Sequence, residues 1–412
     1  MAMRWERVEA NGGDGPGVRW GHTCNAIEGR VYLFGGYGED EQQTNQIDVL
    51  DTVNRVWSRP TVKGMAPAPR DSHSCTTVED NLLVFGGVRG KKPLNDLHVF
   101  ETSSNTWILP TINGLAPTPI SNHAAVLVGK KVFIFGGCGV NSKKYNDLYS
   151  LDTEARVWAW HHVVPTGTLP GRRDSHTCTA WQHLIMVVGG HDSRNACLSD
   201  FHVLDTDTLV WYMLNPTGQI LPPRAGHTTV CLESDLVVFG GFSDDILMHG
   251  DLYVLDLETG VWNRALVIGQ GPCNRFSMAG ERLDPQTSGM LVYYGGFSEI
   301  QTTLGDLYYL KADYDNVDSV IHKNIINGHM YFDSREAELF NDPEHVEPGN
   351  ALRFTVCDPF FLTSSVDYRA YEVMFTRLGI YNLMELEGID WKMYSRAVFI
   401  RRVDGSKYVL LQ

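Results

Sequence analysis

One short phrase returns about every fifty residues along this chain of 412. It stands first at Val31 as "VYLFGGYG", then as "LLVFGGVRG" from Leu82, "VFIFGGCGV" from Val132, "LIMVVGGHD" from Leu184, "LVVFGGFSD" from Leu236 and "LVYYGGFSE" from Leu291. The leading glycines, Gly35, Gly86, Gly136, Gly189, Gly240 and Gly295, are spaced by 51, 50, 53, 51 and 55 residues. Such a period restricts the chain to repeated copies of one supersecondary unit, because each unit can bury its apolar faces only against its neighbours.

Each unit carries further markers in register. Trp57, Trp107, Trp158, Trp211 and Trp262 follow the first five glycine pairs, and Asp96, Asp147, Asp200, Asp251 and Asp306 follow the last five, with Gln46 at that position in the first unit. Ahead of the glycines stands an Arg-x-x-His tetrad: "RWGH" ends at His22, "RDSH" at His73 and His176, and "RAGH" at His227. Two units depart from it, with "ISNH" ending at His123 and "RFSM" at Met278. Segments such as Thr177 to Ala180, Leu184 to Val188, Phe201 to Leu204 and Val210 to Met213 are short, β-branched or aromatic, and bounded by turn residues, which reads as four strands. Four strands in a unit of this length make one blade of a β-propeller.

The sixth unit has "LVYYGG" and "GDLYYL" but no tryptophan where its fourth strand should be. The N-terminal "MRWERVE" offers Trp5 and a glycine-rich link to "RWGH", so Met3 to Val8 is expected to supply the missing outer strand and close the ring. Closure of this kind removes an open seam.

The glycine pairs do not open helices and no Walker-type lysine follows them, so a phosphate loop is not expected. Backbone freedom at the end of a packed strand explains them better. The tryptophans, at one phase of every unit, read as packing between blades. The histidines His22, His73, His123, His176 and His227 belong to five different units and read as buried, hydrogen-bonded side chains rather than ligands converging on one metal.

A formal charge of -15 argues against a general nucleic-acid surface, since phosphate binding depends on clustered Lys and Arg. No apolar run is long enough to span a bilayer. The charged start "MAMRWERVEANGG" lacks the apolar stretch of a signal peptide, so a cytoplasmic or nuclear protein is expected. Eight cysteines without a CxxC pair suit reduced thiols better than disulfides or zinc.

The order hydrophobic-Gly-Gly, later Asp, later Trp, with the glycine pair returning six times in register, resembles the kelch repeat, and "WGHTCNAI", "RDSHSCTTV" and "LPPRAGHTTV" are similar to phrases of plant-type cytosolic kelch proteins. The resemblance covers residues 1–310 and implies an all-β, six-bladed kelch β-propeller. Residues 311–412 lack the repeat signals and are expected to form a mixed, partly helical extension. Three- and four-residue apolar steps predict an amphipathic helix from Tyr368 to Met384. A second helix is expected over Trp391 to Ile400 and a strand in "KYVLLQ".

The resemblance implies a non-enzymatic module that binds a peptide or protein partner, with ubiquitin-ligase substrate receptor or scaffold as wider roles. In peptide-binding kelch propellers arginines at the start of the motif surround the mouth of the central cavity. The matching positions are Arg19, Arg70, Arg173, Arg224 and Arg275, with Ile120 interrupting the ring. Guanidinium groups there could grip an acidic peptide or a free C-terminus. The plainer alternative is that each pairs with a nearby acid, such as Asp71 or Asp174, and pins its loop. The competing class is a metal-dependent enzyme on the same scaffold, as in galactose oxidase or nitrile-specifier proteins. No copper constellation is evident, and Glu338, Asp342 and His345 miss the iron-motif spacing by one residue. No cofactor is therefore expected.

Overall fold

The computed structural model describes residues 2–10, 15–38, 42–283 and 289–313, with further strands at 331–332, 337–339, 351–356, 397–402 and 407–411. Six four-stranded antiparallel blades form the repeat region. In the fourth, the strands are Thr177–Trp181, Leu184–Val188, Phe201–Asp205 and Val210–Leu214, paired in chain order. These agree with the expected strands to one residue at each end. The inner strands Thr23–Ile27, Ser74–Val78, Ala124–Val128, Thr177–Trp181, Thr228–Leu232 and Ala279–Arg282 each neighbour the next, and the last neighbours the first. They enclose a central channel. Among the described residues the one helical element is a 3-10 turn at Val140–Ser142.

The second strand of each blade is packed on both faces, which is why it reads as an unbroken apolar run rather than an alternation. Val31, Leu33, Val84, Val187, Val237 and Val238 are fully buried there. The glycine pair ends this strand in the left-handed region, with φ of 67° at Gly35 and 95° at Gly36. A Cβ on Gly35 would lie 2.6 Å from Cε1 of His73 in the next blade, and one on Gly36 would lie 2.7 Å from Cβ of His22 in its own. The pair thus lets two histidines wedge in from either side, a close approach that any side chain would block.

Backbone hydrogen bonds then join the blades in closed circuits. In one, the second glycine donates to the carbonyl at the arginine position of the following blade: Gly36 to Arg70, Gly87 to Ile120, Gly137 to Arg173, Gly190 to Arg224, Gly241 to Arg275 and Gly296 to Arg19, at 2.8–3.0 Å. In another, the third residue of each tetrad donates to its counterpart in the preceding blade, running Ser72 to Gly21, Asn122 to Ser72, Ser175 to Asn122, Gly226 to Ser175, Ser277 to Gly226 and Gly21 to Ser277. All six of these residues have positive φ, from 50° to 66°. Their identities, Gly, Ser or Asn, are short residues that suit a left-handed position.

The tryptophans pack between blades as expected, with one correction. Phe34 meets Trp107 at a ring-centroid separation of 5.2 Å, and Phe135 meets Trp211 at 5.3 Å. In the third blade the partner of Phe85 is Trp160, not Trp158. Trp160 pairs with Leu151 in the register that Trp211 shares with Leu204. The turn before it is two residues longer than its counterparts, and Trp158 instead donates its indole N–H to the carbonyl of Thr153.

After several of the outer strands the chain crosses to the next blade and covers its edge. Lys63–Gly64, Thr166–Gly167 and Thr217–Gly218 pair in parallel with Thr106–Trp107, Val210–Trp211 and Val261–Trp262. This protects the edge strand from pairing with other chains.

In the sixth blade the strand order is Ala279–Arg282, Met290–Tyr294, Leu307–Asp313, Ala2–Val8 and Leu266–Ile268. The N-terminal strand therefore closes the ring as expected. Val8 lies in one apolar cluster with Leu33, Trp57, Tyr294, Leu307 and Tyr309, and Glu6 accepts from Arg55 at 2.9 Å.

Contacts divide the chain into two units. One is Glu6–Arg264 with Pro272–Leu310, and the other is Met1–Trp5, Ala265–Gly271 and Lys311–Gln412. In the second unit Ala2, Met3 and Arg4 pair in parallel with Leu266, Val267 and Ile268. That unit also contains an antiparallel five-stranded sheet in chain order, Tyr331–Phe332, Ala337–Leu339, Ala351–Val356, Ala397–Arg402 and Lys407–Leu411. Lys407–Leu411 is the strand expected in "KYVLLQ". Ala397–Arg402 is also a strand, which corrects the end of the helix expected over Trp391 to Ile400; its β-branched and aromatic "AVFI" favours the extended form. The helix expected from Tyr368 to Met384 lies outside the described residues.

Trp160→Ala should cost about 3–5 kcal/mol of unfolding free energy, and Trp158→Ala less than half as much. Denaturant melts of the two variants check this, and equal losses would contradict the assignment.

Candidate binding site at the channel mouth

The five candidate arginines are buried inside their own blades, each no more than 3% exposed. Arg70 donates through Nη1 and Nη2 to the two oxygens of Asp96, both at 2.8 Å, and Nη1 also reaches the Gly86 carbonyl at 2.9 Å. Arg173 grips Asp200 with two bonds of 2.7 Å. Arg224 holds Asp251 at 2.7 and 3.3 Å, and Arg275 holds Asp306 at 2.5 and 2.9 Å. Arg19 meets Asp48 at 3.1 Å, so the acid of the first blade sits two residues beyond Gln46.

This corrects the picture of an arginine ring open to an anionic partner. The guanidinium groups are engaged by the repeat's own aspartates and glycine carbonyls. The alternative acids do not hold them either: Asp71 accepts from Ser72 and Gln43, and Asp174 pairs with Lys144 at 3.0 Å. The third blade shows that the clamp can be replaced. Ile120 is buried among Leu97, Val99 and Ile134, while Asp147 is half exposed, with His162 Nε2 3.4 Å away.

Burial acts to raise the carboxyl of Asp96, but the hydrogen bond from His98 and the bonds and charge of Arg70 outweigh it and hold the group below the usual range. Asp200 is held down in the same way by Arg173 and His202 against the effect of burial. The tetrad histidines are neutral. Burial lowers His22, His123, His176 and His227 to about 3. His123 Nε2 lies 2.8 Å from Ser74 Oγ, and His227 Nε2 lies 3.1 Å from Thr177 Oγ1, each partner in the preceding blade.

The rim of the channel is built from two positions per blade that the motif leaves variable. The residue after the arginine is Trp20, Asp71, Ser121, Asp174, Ala225 or Phe276; the residue after the glycine pair is Tyr37, Val88, Cys138, His191, Phe242 or Phe297. In each blade the two are joined as a β-bridge, as in Trp20 with Tyr37 and Asp174 with His191. The rim has unlike halves. In blades five, six and one, Phe242, Phe276, Phe297, Trp20 and Tyr37 form a continuous, half-buried aromatic cluster. Centroid separations are 5.1 Å for Phe242–Phe276, 5.6 Å for Phe276–Phe297, 6.3 Å for Trp20–Phe297 and 5.5 Å for Trp20–Tyr37. In blades two to four the rim sets Asp71, Ser121, Asp174 and His191 beside Val88 and Cys138, and Lys144, Asp174 and His191 form a linked group there.

None of these rim residues was a sequence candidate. The signal was available: positions flanked by repeat-constant residues that themselves change from copy to copy are free of the packing constraint. A cavity of about 550 Å³ opens elsewhere, beside the closing strand, lined by Arg7, Trp57, Tyr294 and Asp306. Asp306 is already held there by Arg275. His183, Asp205 and Asp207 offer grouped ligand atoms on an exposed turn, but Asp205 accepts the backbone N–H groups of Asp207 and Thr208 and so serves the turn. Of Glu338, Asp342 and His345, only Glu338 falls in a described strand.

Comparison with known proteins agrees with the blade geometry. Residues 1–176 match the KLHDC2/KLHL20/DRC7 Kelch-repeats domain, and residues 132–316 match the Attractin/LZTR1 beta-propeller. The chain is a kelch-repeat β-propeller protein. This kelch protein is 30% identical to Kelch domain-containing protein 3 of Bos taurus over 292 residues, which cover 67% of this chain and 63% of that one. It is 30% identical over 298 residues to Host cell factor 1 of Rattus norvegicus, covering 67% of this chain and 12% of that protein. It is 27% identical to Acyl-CoA-binding domain-containing protein 4 of Arabidopsis thaliana, covering 68% and 34%. The match thus spans less than two thirds of each relative's length. The solved structure of YjhT superposes with a TM-score of 0.59 at 16% identity, over 73% of this chain and 97% of that one, and shares the fold.

Two outcomes follow from the buried groups. Arg224→Ala should destabilise more than Arg70→Ala, because it strands Asp251, whose side chain is 14% exposed, whereas Asp96 is 38% exposed and can hydrate. The first loss should approach about 3–5 kcal/mol, read by denaturant unfolding. The histidines are neutral when folded and titrate near 6.5 when unfolded, so their contribution is complete above that value and is lost as pH falls from 6.5 towards 3. The thermal midpoint should therefore drop between about pH 7 and about pH 5; a flat profile would contradict neutral burial.

Proposed function

We propose that this kelch propeller is a non-enzymatic interaction module that holds a peptide or protein partner at the mouth of its channel. The observation that carries this reading is the half-buried aromatic cluster of Trp20, Tyr37, Phe242, Phe276 and Phe297. Large aromatic side chains concentrated on one rim, on a scaffold whose repeat phenylalanines and tryptophans are packed between blades, are what a binding hot spot requires. The relatives support the class: Kelch domain-containing protein 3 matches over 63% of its length and Host cell factor 1 over 12%.

The proposal moves the binding residues from the five arginines to the variable rim. In the five blades that have one, the arginine supports the rim from beneath by holding the third strand to the glycine turn. A substrate-receptor or scaffold role belongs to the same proposal. So does a cytoplasmic or nuclear location, which the seven free cysteines of the described chain suit.

Proximity labelling with the full chain should recover partners that depend on the rim. A Trp20→Ala, Phe276→Ala double variant that remains folded should lose about tenfold of their enrichment, while Tyr212→Ala, on an outer strand, should retain it. Equal recovery by both variants would remove the mouth as the binding surface.

A further inference from the structure

We infer that the aromatic half of the mouth is a receptor for a cationic side chain, an arginine or lysine carried by the partner. The inference rests on the reading of the mouth as a peptide site and reverses the polarity that the arginine motif suggests. With the five arginines neutralised inside the blades, what remains at the rim is the variable positions and the loops that follow them.

Those loops divide by charge in step with the aromatic cluster. Beside the aromatic rings, Phe242 is followed by exposed Asp244 and Asp245, and Phe297 by exposed Glu299, whose carboxylate accepts from Asn274 at 2.9 Å. Across the channel the loops of blades two and three carry exposed Arg89, Lys91, Lys92 and Lys143.

Asp71 adds a buried negative charge at the edge of the cluster. It is 5% exposed, and among the described residues its partners are the neutral groups of Ser72 and Gln43. Gln43 bridges Tyr37, which bridges Trp20, so two successive β-bridges link the acid's partner to the rings. A Cβ on Gly21, the residue after Trp20, would lie 3.5 Å from Asp71 Oδ2, which places the carboxylate against the turn that carries the indole. Asp174, at the equivalent position in blade four, differs in having Lys144 against it. A buried carboxylate without a cation is an unfavourable arrangement that an incoming cation relieves. Aromatic faces attract the same group through their quadrupoles. The rings and acids of blades five, six and one, with the Asp71 carboxylate at their blade-two edge, all select the same occupant, and a carboxylate or phosphate would meet repulsion there.

The test is selection of a random peptide library on the purified full chain. Arg and Lys should be enriched, Asp and Glu depleted at the same position. A selected peptide should bind about tenfold more weakly when that residue is replaced by norleucine, when salt is raised to about 0.5 M, and when Trp20→Ala is introduced. Asp71→Asn removes the charge and keeps the shape of the rim, its oxygen still accepting from Gln43 and its amide now donating to Ser72 Oγ, and should lose affinity for the cationic peptide alone, leaving the norleucine peptide unchanged. If Trp20→Ala does not fold, Phe297→Leu takes its place in the comparison. Peptides that bind at the rim but carry acidic or only apolar residues overturn this inference and leave the mouth as the site. Peptides that bind with equal affinity to the rim variants, or an absence of selection, overturn both.

Discussion

Everything in the ring depends on six residues held in the left-handed backbone region around the channel. Gly21, Ser72, Asn122, Ser175, Gly226 and Ser277 donate N–H groups in succession to one another's carbonyls until the circuit closes. No side chain takes part, so the circuit tolerates change at neighbouring positions. It fixes the direction of each inner strand and holds the residue before it, Trp20 or Phe276 for example, at the rim. The glycine pairs make this possible by letting the tetrad histidines sit between blades.

The arginine clamps are a second layer built on that frame. Each carries a buried charge, and in four of them it meets a bidentate acceptor within the same blade, while Asp48 is shared between Arg19 and Arg59. The third blade keeps its place in the ring without a clamp, because its inter-blade bonds are made by the backbone of Ile120 rather than by its side chain. That difference separates what builds the propeller from what stiffens an individual blade. It also explains why the arginines read from the sequence as a functional ring: regular spacing marks equivalent positions but carries no information on which way a side chain turns.

Much of the fold was legible in the sequence. The glycine period gave the number of blades, the missing tryptophan in the sixth unit sent the closing strand to the N-terminus, and the strands of the fourth blade were placed to a residue. Trp158 was misplaced because a turn in the third blade is two residues longer, and spacing counts cannot see which of two nearby tryptophans enters the core. The site was less legible. Trp20, Tyr37, Phe242, Phe276 and Phe297 are scattered over nearly the whole repeat region and become one surface only when the sixth blade meets the first.

The sequence by itself determined the repeated unit, its four strands and the closed ring, because apolar periodicity and glycine placement are local properties that every copy restates. Only the tertiary structure decided the fate of the charges and the aromatic rings. It paired each tetrad arginine with an aspartate at the start of its blade's third strand, left Asp71 without a cation among the described residues, and gathered aromatics from three blades on one side of the channel. The physical reason is that burial and charge compensation depend on distances between residues far apart in the chain, and those distances do not exist until the ring has closed.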